Sequence, residues 1–383
     1  MSVTAAQGFR ASGVAAGLKS TGAADVALVV NDGPIGAAAA VYTTNRCRAH
    51  PVLWSEQASA DGVVRAVVLN SGGANCYTGP AGFRTTHATA EQVGELLTVS
   101  AGDVVVCSTG LIGEKLDETR LFAGVAAAAG ALEADGGPAA AAAIMTTDTH
   151  PKQASSGGEG WVVGGMAKGA GMLAPALATM LVVITTDAHV DAETCDRALR
   201  AATRVTFDRL DSDGCMSTND TVLLMASGSS GIAPSERDFA DAVRAVCHDL
   251  AQQLMRDAEG SDHDISIEVV QAASEDDAVE VGRAIARSNL FKAAVFGRDA
   301  NWGRILAAVG TTQAAFEPEQ LDVAINDVWI ALGGEPGESR DLVDLSGRTV
   351  HVVVNLHAGS ATATVWTNDL THAYVHENSA YSS

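Results

Sequence analysis

The stretch from Trp161 to Asp187 combines a lysine, a cluster of glycines and a threonine in an order that could support nucleophilic chemistry. Lys168 is the single cation of this stretch, and Thr179 stands directly before the apolar run Met180 to Ile184. A threonine hydroxyl is a poor nucleophile at neutral pH and needs a base beside it. If the chain is cut between Ala178 and Thr179, the new α-amino group supplies that base. The ordinary pKa of such an amine, about 7.7–8.0, lies close to the pH at which a general base works best.

The same residues are also typical of a buried strand that follows a loop. Five consecutive large apolar residues, three of them β-branched, predict a strand covered on both faces. In that interpretation Thr179 does no more than begin the strand. Composition by itself favours this second interpretation, and the residues alone leave both open.

Length and charge restrict the class of protein. A chain of 383 residues is too long for one simple core and predicts two or three lobes. Apolar residues make up 47% of the chain and there are 39 glycines, which indicates a mixed α/β composition. The net charge of −22 disfavours nucleic acids and anionic membranes as partners, and it would mildly attract a cationic small molecule.

The N-terminus and the cysteines indicate a cytoplasmic protein. The first residues lack the basic and apolar regions of a signal peptide, and no apolar run approaches the roughly 20 residues that span a bilayer. The cysteines show no CxxC spacing, so we expect reduced core thiols and no metal site. They are Cys47, Cys76, Cys107, Cys195, Cys215 and Cys247.

Polar loops follow two predicted strands in the first half of the chain. The run Val63 to Leu69 leads into Asn70 to Asn75, and the run Val104 to Cys107 leads into Ser108 to Gly113. Amide and hydroxyl groups at such positions could face a negatively charged oxygen, although ordinary turns have the same composition.

The expected division of the chain into domains is an N-terminal part of the core in 1–190, the rest of the core in 191–275, and a C-terminal α+β lobe in 276–383.

An amphipathic helix is predicted between Phe239 and Leu254, where apolar residues recur at 4-3-4-4 spacing. Glu259 and Gly260 follow it, and a carboxylate at a helix C-terminus opposes the helix dipole unless it meets a cation. Glu259 therefore either is a solvated charge or binds the ammonium of a ligand.

A dinucleotide-binding protein is an alternative of another class. Residues 169–174 fit the loose pattern GxGxxG/A through Gly169 and Gly171. Pro175 and a β-branched run follow where that motif requires a long helix, so the context disfavours this alternative.

Several motifs together resemble one known family over nearly the whole chain. The most specific is GGMAKGAGMLAPALATML, and the others are NSGGANCYTG, STGLIG, MTTDT, STNDT, FGRDANWGRI and the terminal HENSAYSS. They resemble the ornithine acetyltransferase (glutamate N-acetyltransferase) family. The resemblance implies an αββα-type core like that of self-processing aminopeptidases, with an additional C-terminal lobe.

The resemblance also implies a mechanism. Members cut themselves at the bond matching Ala178–Thr179, and the fragments 1–178 and 179–383 then associate as α2β2. Thr179 resembles the nucleophile that takes an acetyl group from N-acetylornithine and passes it to glutamate. Thr109 and Gly110 match the positions of the oxyanion hole.

The remaining implications concern substrates. The residues that match substrate-binding positions are Thr146, Thr147, Lys168, Thr179, Glu259, Asn378 and Ser383, with Thr146 preferred over Thr147. A point cation such as Lys168 suits the substrate carboxylate, and Glu259 suits the distal ammonium. No cofactor or metal is implied, and acetyl-CoA enters only as an alternative acetyl donor. The rival within the same chemistry is an N-terminal-threonine amidase or aminopeptidase with water as the acceptor.

Overall fold

The computed structural model describes residues 2–172 and 180–380. In chain order the strands are β1 (Phe9–Val14), β2 (Val26–Asn31), β3 (Ala37–Tyr42), β4 (Ala66–Asn70), β5 (Val104–Ser108), β6 (Lys152–Gly158), β7 (Trp161–Lys168), β8 (Leu181–Thr186), β9 (Thr221–Ala226), β10 (Asp264–Ala272), β11 (Asp322–Ile325), β12 (Val328–Leu332), β13 (Glu335–Pro336), β14 (Thr349–Asn355) and β15 (Ala361–Asn368). The helices are α1 (His50–Ala58), α2 (Gly79–Leu97), α3 (Glu118–Gly130), α4 (Gly137–Ala143), α5 (Ala192–Val205), α6 (Glu236–Arg256), α7 (Glu275–Ala286), α8 (Asn289–Phe296), α9 (Trp302–Val309) and α10 (His372–Ala380).

Two sheets face each other at the centre of the molecule. One has the order β1-β2-β4-β5 and the other the order β3-β9-β8-β7-β6. Only the pairs β4–β5 and β8–β9 are parallel, and the other neighbours in these two sheets are antiparallel. Val29 and Leu69 of the first sheet share one buried cluster with Met166 and Leu223 of the second. Because each sheet also carries helices on its outer side, five of the strands are buried over their whole length, namely β2, β4, β5, β8 and β9.

Helices complete the layers. Helices α2 and α3 cover the outer face of the first sheet, and α5 and α6 cover that of the second. The apolar stripe predicted for α6 is confirmed, since Phe239, Val243 and Leu250 are fully buried against the sheet. The Ser235 side chain accepts a hydrogen bond from the Asp238 amide and so caps the start of α6. The predicted αββα core is therefore confirmed.

The C-terminal lobe is a third sheet with the order β13-β12-β11-β14-β10-β15, covered by α7, α8 and α9. Strand β10 pairs in parallel with β14 and antiparallel with β15, so it is an interior strand of this sheet. The boundary predicted between residues 275 and 276 is therefore wrong in position. The lobe begins by Asp264, because β10 buries Ile265, Ile267 and Val269 in the core of the lobe.

Trp161–Lys168 is one continuous strand, and Gly164 is needed in it because a Cβ there would lie 2.2 Å from the Ser2 carbonyl oxygen. Near the C-terminus, His372–Ala380 forms α10. Cys47 and Cys215 are exposed, whereas the other four cysteines are buried as expected. No helix in the described ranges is long and apolar enough to cross a membrane.

Candidate active site

One cavity of about 1590 Å³, its open mouth included, collects the predicted site residues that the structure describes. They come from widely separated segments and are Thr109, Gly110, Thr146, Thr147, Lys168, Glu259 and Asn378. The predicted cleavage residues Ala178 and Thr179 and the predicted substrate residue Ser383 lie outside the described residues. Seven residues brought together from across the chain define the candidate site.

Strand ends position the first part of the site. Strands β4 and β5 end side by side, and the loops that follow them are hydrogen-bonded to each other, since the Thr109 amide donates to the Asn70 carbonyl at 3.0 Å. Asn219 ties both loops to the second sheet, because its Nδ2 donates to the Ala74 carbonyl at 2.7 Å and to the Ser108 carbonyl at 2.8 Å. The two loops are therefore held rigidly.

The predicted oxyanion hole contains two donors of different kinds. The backbone amide of Thr109 is already used, so this residue can contribute only its hydroxyl. The amide of Gly110 has no hydrogen-bond acceptor in the described part of the chain. Gly110 has φ +131, and a Cβ there would lie 2.9 Å from the Gly73 backbone. A side chain at Gly110 would therefore force the two loops apart.

Lys168 ends β7 with its ammonium buried beside these donors. Its side chain is 1% exposed, and Nζ donates to Thr146 Oγ1 at 2.7 Å and to Thr109 Oγ1 at 3.3 Å. Burial lowers the pKa of Lys168 from its ordinary value, against the attraction of Asp148. No carboxylate of residues 2–172 or 180–380 lies within ion-pair distance of Nζ. The geometry favours Thr146 over Thr147 as the contact beside this cation.

The buried carboxylate of Asp148 fixes the backbone at Thr146 and at Gly169, the residue after Lys168. Asp148 Oδ1 accepts the Gly169 amide at 2.6 Å, and Oδ2 accepts the Thr146 amide at 3.0 Å. Lys152 Nζ lies 2.7 Å from Asp148 Oδ1 and 2.5 Å from Asp257 Oδ2, and the Lys152 side chain is fully buried. The pair Asp148–Lys152 therefore holds Lys168 and Thr146 at a fixed separation.

This network predicts an acid-dependent loss of stability. Burial by itself raises the pKa of Asp148, but the charges of Lys168 and Lys152 outweigh it and lower the pKa from 3.8 to about 2. A lowered pKa contributes stability above pH 3.8 that is lost as the pH falls through 2, about 2 kcal/mol in all. Urea unfolding between pH 5 and 2 should show the parent losing about 2 kcal/mol more than Asp148→Asn.

The matched control for this prediction is Asp196→Asn, because Asp196 pairs with Arg200 on the exposed face of α5. An exposed pair contributes little, so the control should keep the pH dependence of the parent. If Asp148→Asn and the parent lose stability in parallel as the pH falls, the proposed protonation of Asp148 is wrong.

Glu259 faces the cavity from the loop after α6. The helix ends at Arg256, three residues before Glu259, so the helix-dipole argument does not apply to this carboxylate. The Glu259 amide donates to the Ala170 carbonyl at 3.0 Å, and Asn378 Nδ2 of α10 donates to Glu259 Oε2 at 3.1 Å. A Cβ at Gly171 would lie 2.6 Å from Glu259 Oε1. Gly171 thus gives the carboxylate room.

This geometry also shows that the dinucleotide alternative is wrong. A dinucleotide motif lies between two parallel strands joined by a helix, whereas β7 and β8, which flank Gly169 and Gly171, are antiparallel. Only residues 173–180 separate Met172 from β8, which is too short a segment for the long helix of that motif.

Sequence reasoning missed several polar residues that support the site. Asp148 lies in the motif MTTDT and Asp220 in STNDT, and both motifs were recognised without a role for their acids. Asp220 is fully buried, and its Oδ1 accepts the amide of Met180, the residue after Thr179, at 3.1 Å. Burial raises the pKa of Asp220 well above its ordinary value. The available signal was an acid beside threonine in a short polar motif, since Asp148 lies between Thr147 and Thr149 and Asp220 directly precedes Thr221.

Comparison with known proteins agrees with the resemblance seen in the motifs. The sequence description of the ArgJ family matches residues 10–383. The arginine biosynthesis bifunctional protein ArgJ of Streptomyces avermitilis is 66% identical over 383 residues, which is 100% of each chain. A solved arginine biosynthesis bifunctional protein argJ from Bacillus halodurans is 39% identical with a TM-score of 0.50, covering 52% of this chain and 98% of that chain. A solved ornithine acetyltransferase of Mycobacterium tuberculosis, complexed with ornithine, is 54% identical with a TM-score of 0.45, covering 47% of this chain and 96% of that chain. This chain therefore belongs to the ArgJ family.

Proposed function

We propose that this acyltransferase moves the acetyl group of N2-acetyl-L-ornithine to L-glutamate through an acetyl ester on Thr179. The observation that carries the proposal is the single cavity that holds a buried ammonium, a carboxylate and the two candidate oxyanion donors. Leu181, two residues after Thr179 in the sequence, is the strand partner of Lys168, which lines this cavity.

The first half-reaction forms the ester. After cleavage of the Ala178–Thr179 bond, the free α-amine takes the proton of the Thr179 hydroxyl, and the oxygen attacks the acetamide carbon. The negative charge that develops on the carbonyl oxygen is stabilised by the Thr109 hydroxyl and the Gly110 amide. The C–N bond then breaks, the α-ammonium returns its proton to the leaving nitrogen, and ornithine departs.

The second half-reaction reverses these roles with another amine. The α-amine of glutamate attacks the acetyl ester, and the α-amine of Thr179 accepts the proton that the new amide loses. The ester C–O bond breaks and the α-ammonium of Thr179 returns its proton to the departing threonine oxygen, which releases N-acetylglutamate and restores both the hydroxyl and the free amine. The same donors serve both steps because both pass through the same kind of oxyanion.

Charges in the cavity orient the donor. Lys168 has no carboxylate partner in the described ranges and suits the α-carboxylate of N-acetylornithine. Glu259 suits the distal ammonium, and the Asn378 amide fixes the orientation of that carboxylate. The net charge of −22 further favours a substrate that carries an ammonium group.

Self-cleavage and a two-chain assembly are part of the proposal. The solved Bacillus halodurans chain is matched over 98% of its length by 52% of this chain, so it is about half as long. This supports cleavage into fragments 1–178 and 179–383, and their association as α2β2 is a further part of the proposal. The names of the curated relatives refer to arginine biosynthesis, which supports an enzyme acting on small molecules. A cytoplasmic location, with acetyl-CoA at most as an alternative donor, is also part of the proposal.

The test is to incubate the purified protein with N-acetylornithine in the presence and absence of glutamate. We expect continuous ornithine release, matched by N-acetylglutamate, only when glutamate is present. Without glutamate, one burst of ornithine per site should leave one acetyl group on the fragment that begins at Thr179, detected by mass spectrometry. Ornithine release at the same rate with and without glutamate would instead identify an amidase that uses water.

A further inference from the structure

A second ammonium lines the same cavity. Lys19 lies in the loop between β1 and β2, and its Nζ donates to the Ala24 carbonyl at 2.8 Å and to the Met145 carbonyl at 2.7 Å. Met145 directly precedes Thr146, whose hydroxyl contacts Lys168. The two lysines therefore stand close together on one wall of the cavity.

Lys19 has binding capacity that the protein does not use. An ammonium has three N–H donors, and the two carbonyls occupy two of them. No carboxylate in the described parts of the chain lies within ion-pair distance of Lys19 Nζ, although acids outnumber Lys and Arg by 46 to 24. The side chain is half-buried, and the exposed hydroxyl residues Ser20 and Thr21 line the cavity beside it. This combination suits a ligand with an anionic group.

The acid nearest in sequence shapes the loop and leaves the ammonium unpaired. Asp25 is fully buried, and its two carboxylate oxygens accept the backbone amides of Ala16, Leu18 and Lys19 at 2.6–3.0 Å. These contacts fold the 16–25 loop so that the Lys19 side chain reaches Met145 across the cavity wall. Asp25 therefore orients Lys19 without forming an ion pair with it.

Lys19 and Glu259 face the cavity from different parts of the fold. Lys19 lies in the loop between β1 and β2 and contacts the Met145 carbonyl, whereas Glu259 lies in the loop after α6 and contacts Asn378 of α10. Burial lowers the pKa of Lys19 from its ordinary value, against the attraction of Asp25. The cavity thus presents a cation at Lys19 and an anion at Glu259 on separate elements.

The two substrates of the proposed reaction differ in the charge of their side chains, so they need different partners in the cavity. N-Acetylornithine and glutamate share an α-carboxylate and an α-nitrogen, but one carries a distal ammonium and the other a distal carboxylate. A distal carboxylate next to Glu259 would suffer like-charge repulsion. We propose that Lys19 binds the side-chain carboxylate of the acceptor glutamate, while Glu259 binds the side-chain ammonium of the donor. This inference rests on the proposed function.

The experiment compares Lys19→Met with the parent in each half-reaction. We expect kcat/KM for glutamate to fall by about 10–100-fold, because one charge-assisted hydrogen bond is lost. The kcat/KM for N-acetylornithine should stay within about threefold of the parent value, because the side-chain ammonium of this substrate does not bind Lys19. Glutamine, a neutral acceptor of nearly the same shape, should be affected little, so the preference for glutamate over glutamine should collapse. Lys19→Arg should restore part of that preference.

The control is Lys115→Met, which removes the same charge from an exposed lysine that does not line the cavity. Cleavage into two fragments and a normal ornithine burst show that Lys19→Met is folded. If the parent forms no N-acetylglutamate, the proposed function fails. If the parent forms it but Lys19→Met keeps the parent's preference for glutamate, or loses both substrates equally, the role of Lys19 is overturned and the proposed function stands.

Discussion

Thr179→Ala should yield one full-length polypeptide that transfers no acetyl groups, whereas the parent should yield the fragments 1–178 and 179–383. Alanine has no hydroxyl to attack the peptide bond before it, so cleavage stops and the α-amine never becomes free. The same substitution removes the atom that carries the acetyl group. A denaturing gel measures the first effect, and acetylation followed by mass spectrometry measures the second.

Two further variants make this result specific. Thr179→Ser keeps a hydroxyl and should still be cut and acetylated, although more slowly. Thr362→Ala removes a threonine from an exposed position on β15 and should behave like the parent. A Thr179→Ala protein that remains in one piece and still transfers acetyl groups would refute the mechanism at its first step.

Single elements of the core could be predicted from the sequence because their signals are local, whereas the αββα layering was implied by the family resemblance. The apolar run Met180 to Ile184 predicted a buried strand, and β8 is buried over its whole length. The 4-3-4-4 spacing from Phe239 onward predicted α6 with the correct inner face. Both patterns arise because a residue's burial repeats with the period of its own element.

The support for the site could not be predicted because it joins distant segments. Lys152 and Asp257 are 105 residues apart in sequence, yet they form one buried ion pair. Lys19 and Met145 are 126 residues apart, and nothing near either residue indicates that their atoms meet. Such contacts depend on how the two sheets and the loops at their ends pack, and a single sequence carries no periodic signal for that packing.

Glycines are a second example of positions whose neighbours in the structure cannot be predicted from the sequence. Gly171 fitted a phosphate-binding pattern in the sequence, but in the structure its missing side chain leaves room for the carboxylate of Glu259. Gly164 lies within β7, where its missing side chain leaves room for the Ser2 carbonyl. A glycine indicates a close approach, but its position in the sequence does not reveal what approaches.

Thr109→Val should lower kcat by about 10²–10³-fold and leave KM nearly unchanged, the effect typical of losing one oxyanion donor. Valine has almost the same shape as threonine, and position 109 is only 2% exposed, so the packing should survive. The Thr109 amide is already bonded to Asn70, so the hydroxyl is the only donor that this residue can offer. Because the charge exists only in the transition state, kcat and kcat/KM should fall together. Steady-state kinetics with N-acetylornithine and glutamate measure both constants.

Thr109→Ser is the matched control, since it keeps the hydroxyl and loses only a methyl group. It should retain most of the parent's kcat, while both variants should still be cut into two fragments if the loop keeps its position. The hydroxyl also accepts a hydrogen bond from Lys168 at 3.3 Å, so a role in orienting Lys168 would appear differently. In that case Thr109→Val would raise KM for both substrates and leave kcat near the parent value, because substrate binding through Lys168 would be weakened and the oxyanion would keep its donors.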